Sequence, residues 1–273
     1  MSVHSLLDSS TIKDVVVGLT TNAIWLVLGA TVSWLWLLRD VFHPLRTFLS
    51  ISKNVTVIIG VPFYWDTKAQ ALSIDSGLPL FGYGPVKTLS RLLTDISWKG
   101  VRQKLSLKVD DDFRSVTPKG HIIVLGYPDS NIVSEEIMNS GDVIVSFLGH
   151  SIRYKNLDGR TVELKPEYGA DGEVIRDYGY ILVGKSPFDM HGRLLLLAGG
   201  ETHGLQVAEE FLADRVPVPF GNRLLRGWVS YVGALIKVAT FRAPHSLTEI
   251  LVSGKIRSGE VTDVGLVWWH SVR

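Results

Sequence analysis

From Val15 to Leu38 the chain carries no Asp, Glu, Lys or Arg, and charge closes the run at both ends, Lys13 and Asp14 before it, Arg39 and Asp40 after it. As a helix these residues extend roughly 36 Å, enough to cross a hydrocarbon core of about 30 Å. A cleaved signal peptide is the main alternative, but its apolar region is usually about 7–15 residues long, and no small-x-small site follows. A core helix of a globular domain is seldom this long without charge. The sequence therefore predicts a transmembrane helix over residues 14–39, a short extracytoplasmic N-terminus over 1–13, and an amphipathic connector over 40–53 broken at Pro44. Arg39, Arg46 and Lys53 follow the helix, so the positive-inside bias places residues 54–273 in the cytoplasm. Within the run, Gly18, Asn22, Trp25, Gly29, Ser33 and Trp36 fall on one stripe. Small residues let helices approach closely and a polar amide in hydrocarbon seeks a partner, so the stripe reads as a packing seam or pore lining in an oligomer. A single anchor whose Asn bonds its own helix is the plainer alternative.

The remaining chain is long enough for one ordinary domain. A net charge of +1 does not suggest bulk attraction to nucleic acid, so any anion site must be local, and the absence of Cys removes disulfides and thiolate metal sites. Residues 54–60 (NVTVIIG), 121–126 (HIIVLG), 142–148 (DVIVSFL) and 193–198 (RLLLLA) read as buried strands, and residues 85–97, 132–140 and 205–214 as helices. Strand, Gly-rich turn, helix, strand is the pattern of an α/β fold with a mostly parallel sheet. Residues 61–84 read as a long turn-rich loop, 99–119 as polar connection with a solvated Asp110–Asp112 turn, and 150–184 as a β-hairpin excursion at one edge. Ala234–Phe241 alternates like a strand, and residues 264–272 close the chain as another.

Two strand-to-helix turns stand out. The first is Gly126, Tyr127, Pro128, Asp129, Ser130 and Asn131; the second is Gly199, Gly200, Glu201, Thr202, His203 and Gly204. In a doubly wound sheet such turns sit at the carboxyl ends of strands, where ligands bind, and helix N-termini offer amides to a phosphate. Neither matches a dinucleotide or Walker fingerprint, and ordinary helix caps (Ser130 or Asn131, and Thr202) are the structural alternative. Asp177, Tyr178, Lys185, Arg223 and Arg226 are further candidates, tyrosine for stacking on a base and the cations for phosphates. Glu201 beside His203 is a weak acid–base pair, no nucleophile elbow or metal-ligand spacing occurs, and the balance favours a binding protein without cofactor or metal over an enzyme.

The strings IIVLGYPDSNIVSEEI (122–137) and RDYGYILVGKSPFDMHGRLLLLAGGETHGLQVAEEFL (176–212) resemble two halves of a Rossmann-like domain found in bacterial proteins of defence and nucleotide signalling. With the N-terminal helix, the chain is similar to membrane effectors of antiphage systems, including Hailong-type transmembrane effectors paired with a nucleotidyltransferase. The resemblance implies a homo-oligomer, with a tetramer as the guess, in the inner membrane. A nucleotide or oligonucleotide made by the partner enzyme would gate it, and it would permeabilise the bilayer. A membrane-anchored enzyme acting on nucleotides or nucleosides is the alternative.

Overall fold

In the computed structural model the described residues are 54–60, 63–66, 71–73, 78–80, 82–98, 104–113, 117–140, 142–156, 158–213 and 247–272, with Thr21 and 25–27. The chain divides into two compact units, 1–42 and 43–273. In the first, Thr21 and Trp25 to Val27 are helical and exposed. Gly18, Asn22, Gly29, Ser33, Trp36 and the connector lie outside the described residues, and no described helix is long and apolar enough to cross a membrane.

The second unit is a mixed α/β fold. Its elements are β1 (Asn54–Ile59), β2 (Phe63–Asp66), β3 (Ala71–Ser73), β4 (Leu78–Leu80), α1 (Tyr83–Trp98), β5 (Lys104–Val109), β6 (His121–Leu125), α2 (Ile132–Met138), β7 (Ser146–Leu148), β8 (Ser151–Lys155), β9 (Thr161–Leu164), β10 (Glu167–Tyr168), β11 (Val174–Lys185), β12 (Arg193–Gly199), α3 (Thr202–Ala213), β13 (Leu247–Arg257) and β14 (Glu260–Val272). Among the described residues the main sheet has the order β14-β13-β11-β12-β6-β1-β5, with β10 beside β11. The half from β5 to β12 is parallel, and β11, β13 and β14 are antiparallel. Parallel neighbours need a crossover, and α1 and α2 supply it for β1–β5 and β6–β12. Because β5 lies to one side of β1 and β6 to the other, the winding reverses between β1 and β6.

Both faces of the sheet are covered, which is why its central strands read as unbroken apolar runs. One face packs Val55, Val57, Ile123, Leu125, Leu195 and Leu197 against Leu92 of α1 and Leu205, Ala208 and Leu212 of α3. The other packs Ile58, Ile122, Val124, Leu194 and Leu196 against Val133 and Ile137 of α2 and the β7-β8-β9 meander. Each fully buried Leu or Ile contributes about 1.5–3 kcal/mol, so these layers dominate stability. Gly179 permits the close contact of α3 with β11: a Cβ there would lie 2.6 Å from the Ala208 nitrogen and the Gly204 oxygen.

Several expected elements differ. Residues 61–84 hold the small β3-β2-β4 sheet, and β5 lies within the expected polar connection. Of 142–148 only Ser146–Leu148 is a strand, and it pairs with β8 in the meander outside the main sheet. The excursion ends earlier than expected, because β11 occupies the interior of the sheet between β12 and β13. β13 shows no plain apolar run in the sequence, because Glu249, a buried carboxylate near its start, interrupts the pattern. Ala234–Phe241 lies outside the described residues.

Candidate functional site

The reversal point between β1 and β6 is where a doubly wound sheet ordinarily opens a ligand crevice. Here the chain fills it. Gly60 ends β1 directly against the turn after β6, and a Cβ on Gly60 would sit 1.8 Å from the Ser130 carbonyl oxygen.

The turn after β6 is built on Asn131, which is buried. Its Oδ1 accepts from the Val133 and Ser134 amides at 3.0 and 3.1 Å, and its Nδ2 donates to the Leu125 carbonyl at 3.1 Å. The Ile132 amide donates to Asp110 Oδ2 at 3.0 Å. Asp110, expected in a solvated turn, is therefore buried at the head of α2. Gly126 has φ +124, a region open to glycine, and its carbonyl accepts from the Ser134 hydroxyl at 2.7 Å. Ser130 donates to the Tyr127 carbonyl at 3.1 Å. The first amides of α2 are satisfied by the protein itself, leaving half-buried Tyr127 and exposed Asp129 as the outward groups of this turn.

The turn after β12 repeats the arrangement with a different carboxylate. Asp177 is fully buried. Its Oδ1 accepts from the Tyr178 amide at 2.7 Å and the Glu201 amide at 3.3 Å, while its Oδ2 has no hydrogen-bond partner. Burial pushes its carboxyl up to about 6, against the opposing pull of the Tyr178, Gly204 and Glu201 N–H groups. A carboxylate thus stands where a phosphate would meet the N-terminus of α3. The glycines here serve packing: Gly199 lies against Gly204, Gly204 against the Tyr178 carbonyl, and Gly200 against the His150 carbonyl.

Outward from Asp177, three side chains from distant parts of the chain converge. Glu201 Oε1 accepts from the Tyr168 hydroxyl at 2.8 Å and lies 3.3 Å from His150 Nδ1. The same Nδ1 is 3.2 Å from the Gly200 carbonyl oxygen. With acceptors on both sides, Nδ1 is placed to donate. The Tyr168 phenol is pushed up, first by its hydrogen bond to Glu201 and then by burial. The Tyr127 phenol is also raised, by burial and then by the charges of Asp129 and Glu201, which ties the two turns together. Among the described residues no lysine or arginine pairs with Asp129, Asp177 or Glu201, so this edge is acidic.

The expected residues separate into groups. Gly126, Asp129, Gly199, Gly200 and Glu201 lie at this edge, with Ser130, Asn131 and Gly204 used in its framework. Tyr178 supplies a carbonyl that accepts from the Gly200 amide at 3.0 Å. Thr202 is exposed, and its carbonyl meets Gly84 of α1. His203 is half-buried, its imidazole held below the ordinary range by burial and then by the Lys87 charge. Glu201 takes its histidine from the β7–β8 turn. Lys185 stands opposite Arg193 in the sheet register at the far end of β12 and does not join the edge; the six steps from Arg193 to Gly199 span roughly 20 Å. Arg223 and Arg226 lie outside the described residues. His150 and Tyr168 carried no local sequence signal, since each reaches Glu201 only through the fold. Among the described residues no three His, Asp or Glu side chains group to hold a metal ion. Neither family models nor curated proteins match this chain.

Proposed function

We propose that this chain is a single-span membrane effector of bacterial antiphage defence. Its cytoplasmic, Rossmann-like domain reads a nucleotide or short oligonucleotide, made by a partner nucleotidyltransferase, at the carboxyl edge of β6 and β12. The observation that carries the reading is the cluster of Glu201, His150 and Tyr168 over buried Asp177. Both helix N-termini are already served by internal groups, and the edge is acidic, so the ligand is gripped by its nucleoside. Carboxylates accept from sugar hydroxyls and exocyclic amines, and Tyr127 and Tyr168 offer rings for stacking. The phosphates then point away from the edge. Ligand binding that differs between two states of the oligomer changes how the Val15–Leu38 helices pack in the inner membrane, and that change permeabilises the bilayer.

Depolarisation of cells expressing the protein, followed with a potential-sensitive dye, tests this. Wild type depolarises under one ligand condition, and Asn22→Leu does not. Absence of any membrane effect at normal expression defeats the reading. The His150–Glu201–Tyr168 proton-sharing contacts favour one second reading, a membrane-anchored enzyme acting on nucleosides or nucleotides. It predicts turnover that His150→Ala abolishes.

A further inference from the structure

We infer that the outer edge of β14 is an interface with a second copy of this chain, the two β14 strands pairing antiparallel about a two-fold axis at Leu266. β14 is the terminal strand of the main sheet and 13 residues long, and among the described residues no strand pairs with its outer side. Such an edge presents a row of backbone N–H and C=O groups, and the partner that satisfies the row is another β-strand. Natural edges are commonly protected by charge, as at the opposite end of this sheet, where β5 has lysine at two of its six positions. Residues 264–269 of β14 include no charged residue, and Leu266, Val267 and Trp269 are 48%, 37% and 47% exposed.

The register of β14 selects its own copy as that strand. Against β13, Val252 stands opposite Leu266 and Leu251 opposite Trp268, so Val267 is the extra residue of a bulge. Lys255, opposite Asp263, and Glu249, opposite His270, lie three positions to either side of Val252. A two-fold axis through Leu266 therefore sets Asp263 across from the second copy's His270, on the same face. By the same count Gly265 meets the second copy's Trp268, and Val264 the second copy's Trp269. Each pairing is complementary and, by symmetry, occurs twice. Asp263 keeps 45% of its side chain exposed beside its own Lys255, so it can also accept from an imidazole. A Cβ added to Gly265 would meet nothing closer than 4.0 Å, which leaves room for an indole, and an aromatic side chain across from an edge glycine covers the gap it leaves. Leu266 and Trp269 stand opposite Val252 and Ile250 of the α3-side core, and Val264 packs on that core, so the axis joins the exposed apolar strips of the two copies on one face. Parallel pairing would instead bring the two Asp263 carboxylates together.

The chain has no Cys, so engineered cysteines report without background. Leu266→Cys, Asp263→Cys, His270→Cys and Met190→Cys are introduced singly into the full-length, detergent-solubilised chain, and disulfide-linked dimer is measured after mild copper–phenanthroline oxidation. Opposed residues of an antiparallel pair have Cα atoms about 4.5–5.5 Å apart, within the range of about 4.4–6.8 Å that a disulfide spans. Met190, 78% exposed in the β11–β12 turn, reports random collision. The expected result is linking of Leu266→Cys several-fold above that of Met190→Cys. Asp263→Cys and His270→Cys should each fail to link alone, and should link to one another when co-expressed with different affinity tags. Linking at Leu266→Cys no stronger than at Met190→Cys overturns the interface. Linking at Leu266→Cys without the mixed product, or with Asp263→Cys joined to itself, overturns the antiparallel register and the inference with it. Copies held together only through Val15–Leu38 would link without regard to position along β14, which equally overturns it.

Discussion

Replacing Asp177 with Asn should make the domain more stable at neutral pH, although it removes a group at the centre of the site. The folded-state carboxyl titrates at about 6. In an unfolded chain an aspartate titrates near 3.9, so the folded protein holds this proton more tightly by about two pH units, or roughly 3 kcal/mol. Stability from this group is complete below about pH 4, is lost as pH rises toward 6, and is flat above. About 2 kcal/mol of it disappears between about pH 4.5 and about pH 7.5. Asn cannot ionise and still accepts from the Tyr178 and Glu201 amides through Oδ1. Its Nδ2 replaces an Oδ2 that has no partner, at a cost of about 1–3 kcal/mol for a buried unsatisfied donor. The net gain at neutral pH is therefore on the order of 1 kcal/mol. The sharper observable is the pH slope. Urea unfolding of the detergent-solubilised chain, followed by tryptophan fluorescence at the two pH values, should show the wild type losing about 2 kcal/mol more than Asp177→Asn on going to neutral pH. Comparing slopes cancels the other titrating groups. Equal slopes in the two proteins would refute the argument.

Three further substitutions test the framework. Asn131→Ala removes three hydrogen bonds and should lower stability by about 2–4 kcal/mol in thermal unfolding; a loss under about 0.5 kcal/mol would mean the cap is dispensable. Tyr180→Phe leaves Glu249 with the Ile144 and Val145 amides only, and should cost about 1–2 kcal/mol by urea titration. Gly179→Ala drives a Cβ into the backbone of α3 and should cost about 1–3 kcal/mol or more, with hydrogen exchange rising first in α3; unchanged protection there would show that the contact is slack.

Much of the parallel half was legible from the sequence, because β1, β6 and β12 are continuous apolar runs ending in glycine or followed by it. The antiparallel half was not. β13 hides a carboxylate near its start, and Glu249 is tolerated there only because two amides and the Tyr180 hydroxyl converge on it. β5 reads as polar because an edge strand buries little. The two glycine turns were visible as turns, but their internal carboxylates were not: Asp110 lies 22 residues from Ile132, and Asp177 lies 24 from Glu201. The same limit hid His150, 51 positions before Glu201 in the sequence and in contact with it in the fold. The seam between α1 and α3 was equally invisible. Arg91 meets Glu209 and Glu210 there, and Thr88 and Gln206 are buried.

The proposed grip on a nucleoside at the edge of β6 and β12, through acceptors and stacking, is tested by calorimetric titration of the full chain with a panel of nucleosides, their mono- and triphosphates, a dinucleotide, and inorganic pyrophosphate. At least one nucleoside-bearing ligand should bind, Glu201→Gln should weaken it tenfold or more, corresponding to about 1.4 kcal/mol, and pyrophosphate alone should not bind. Binding of pyrophosphate as tight as that of the nucleotides, or no binding by any member of the panel, would contradict it.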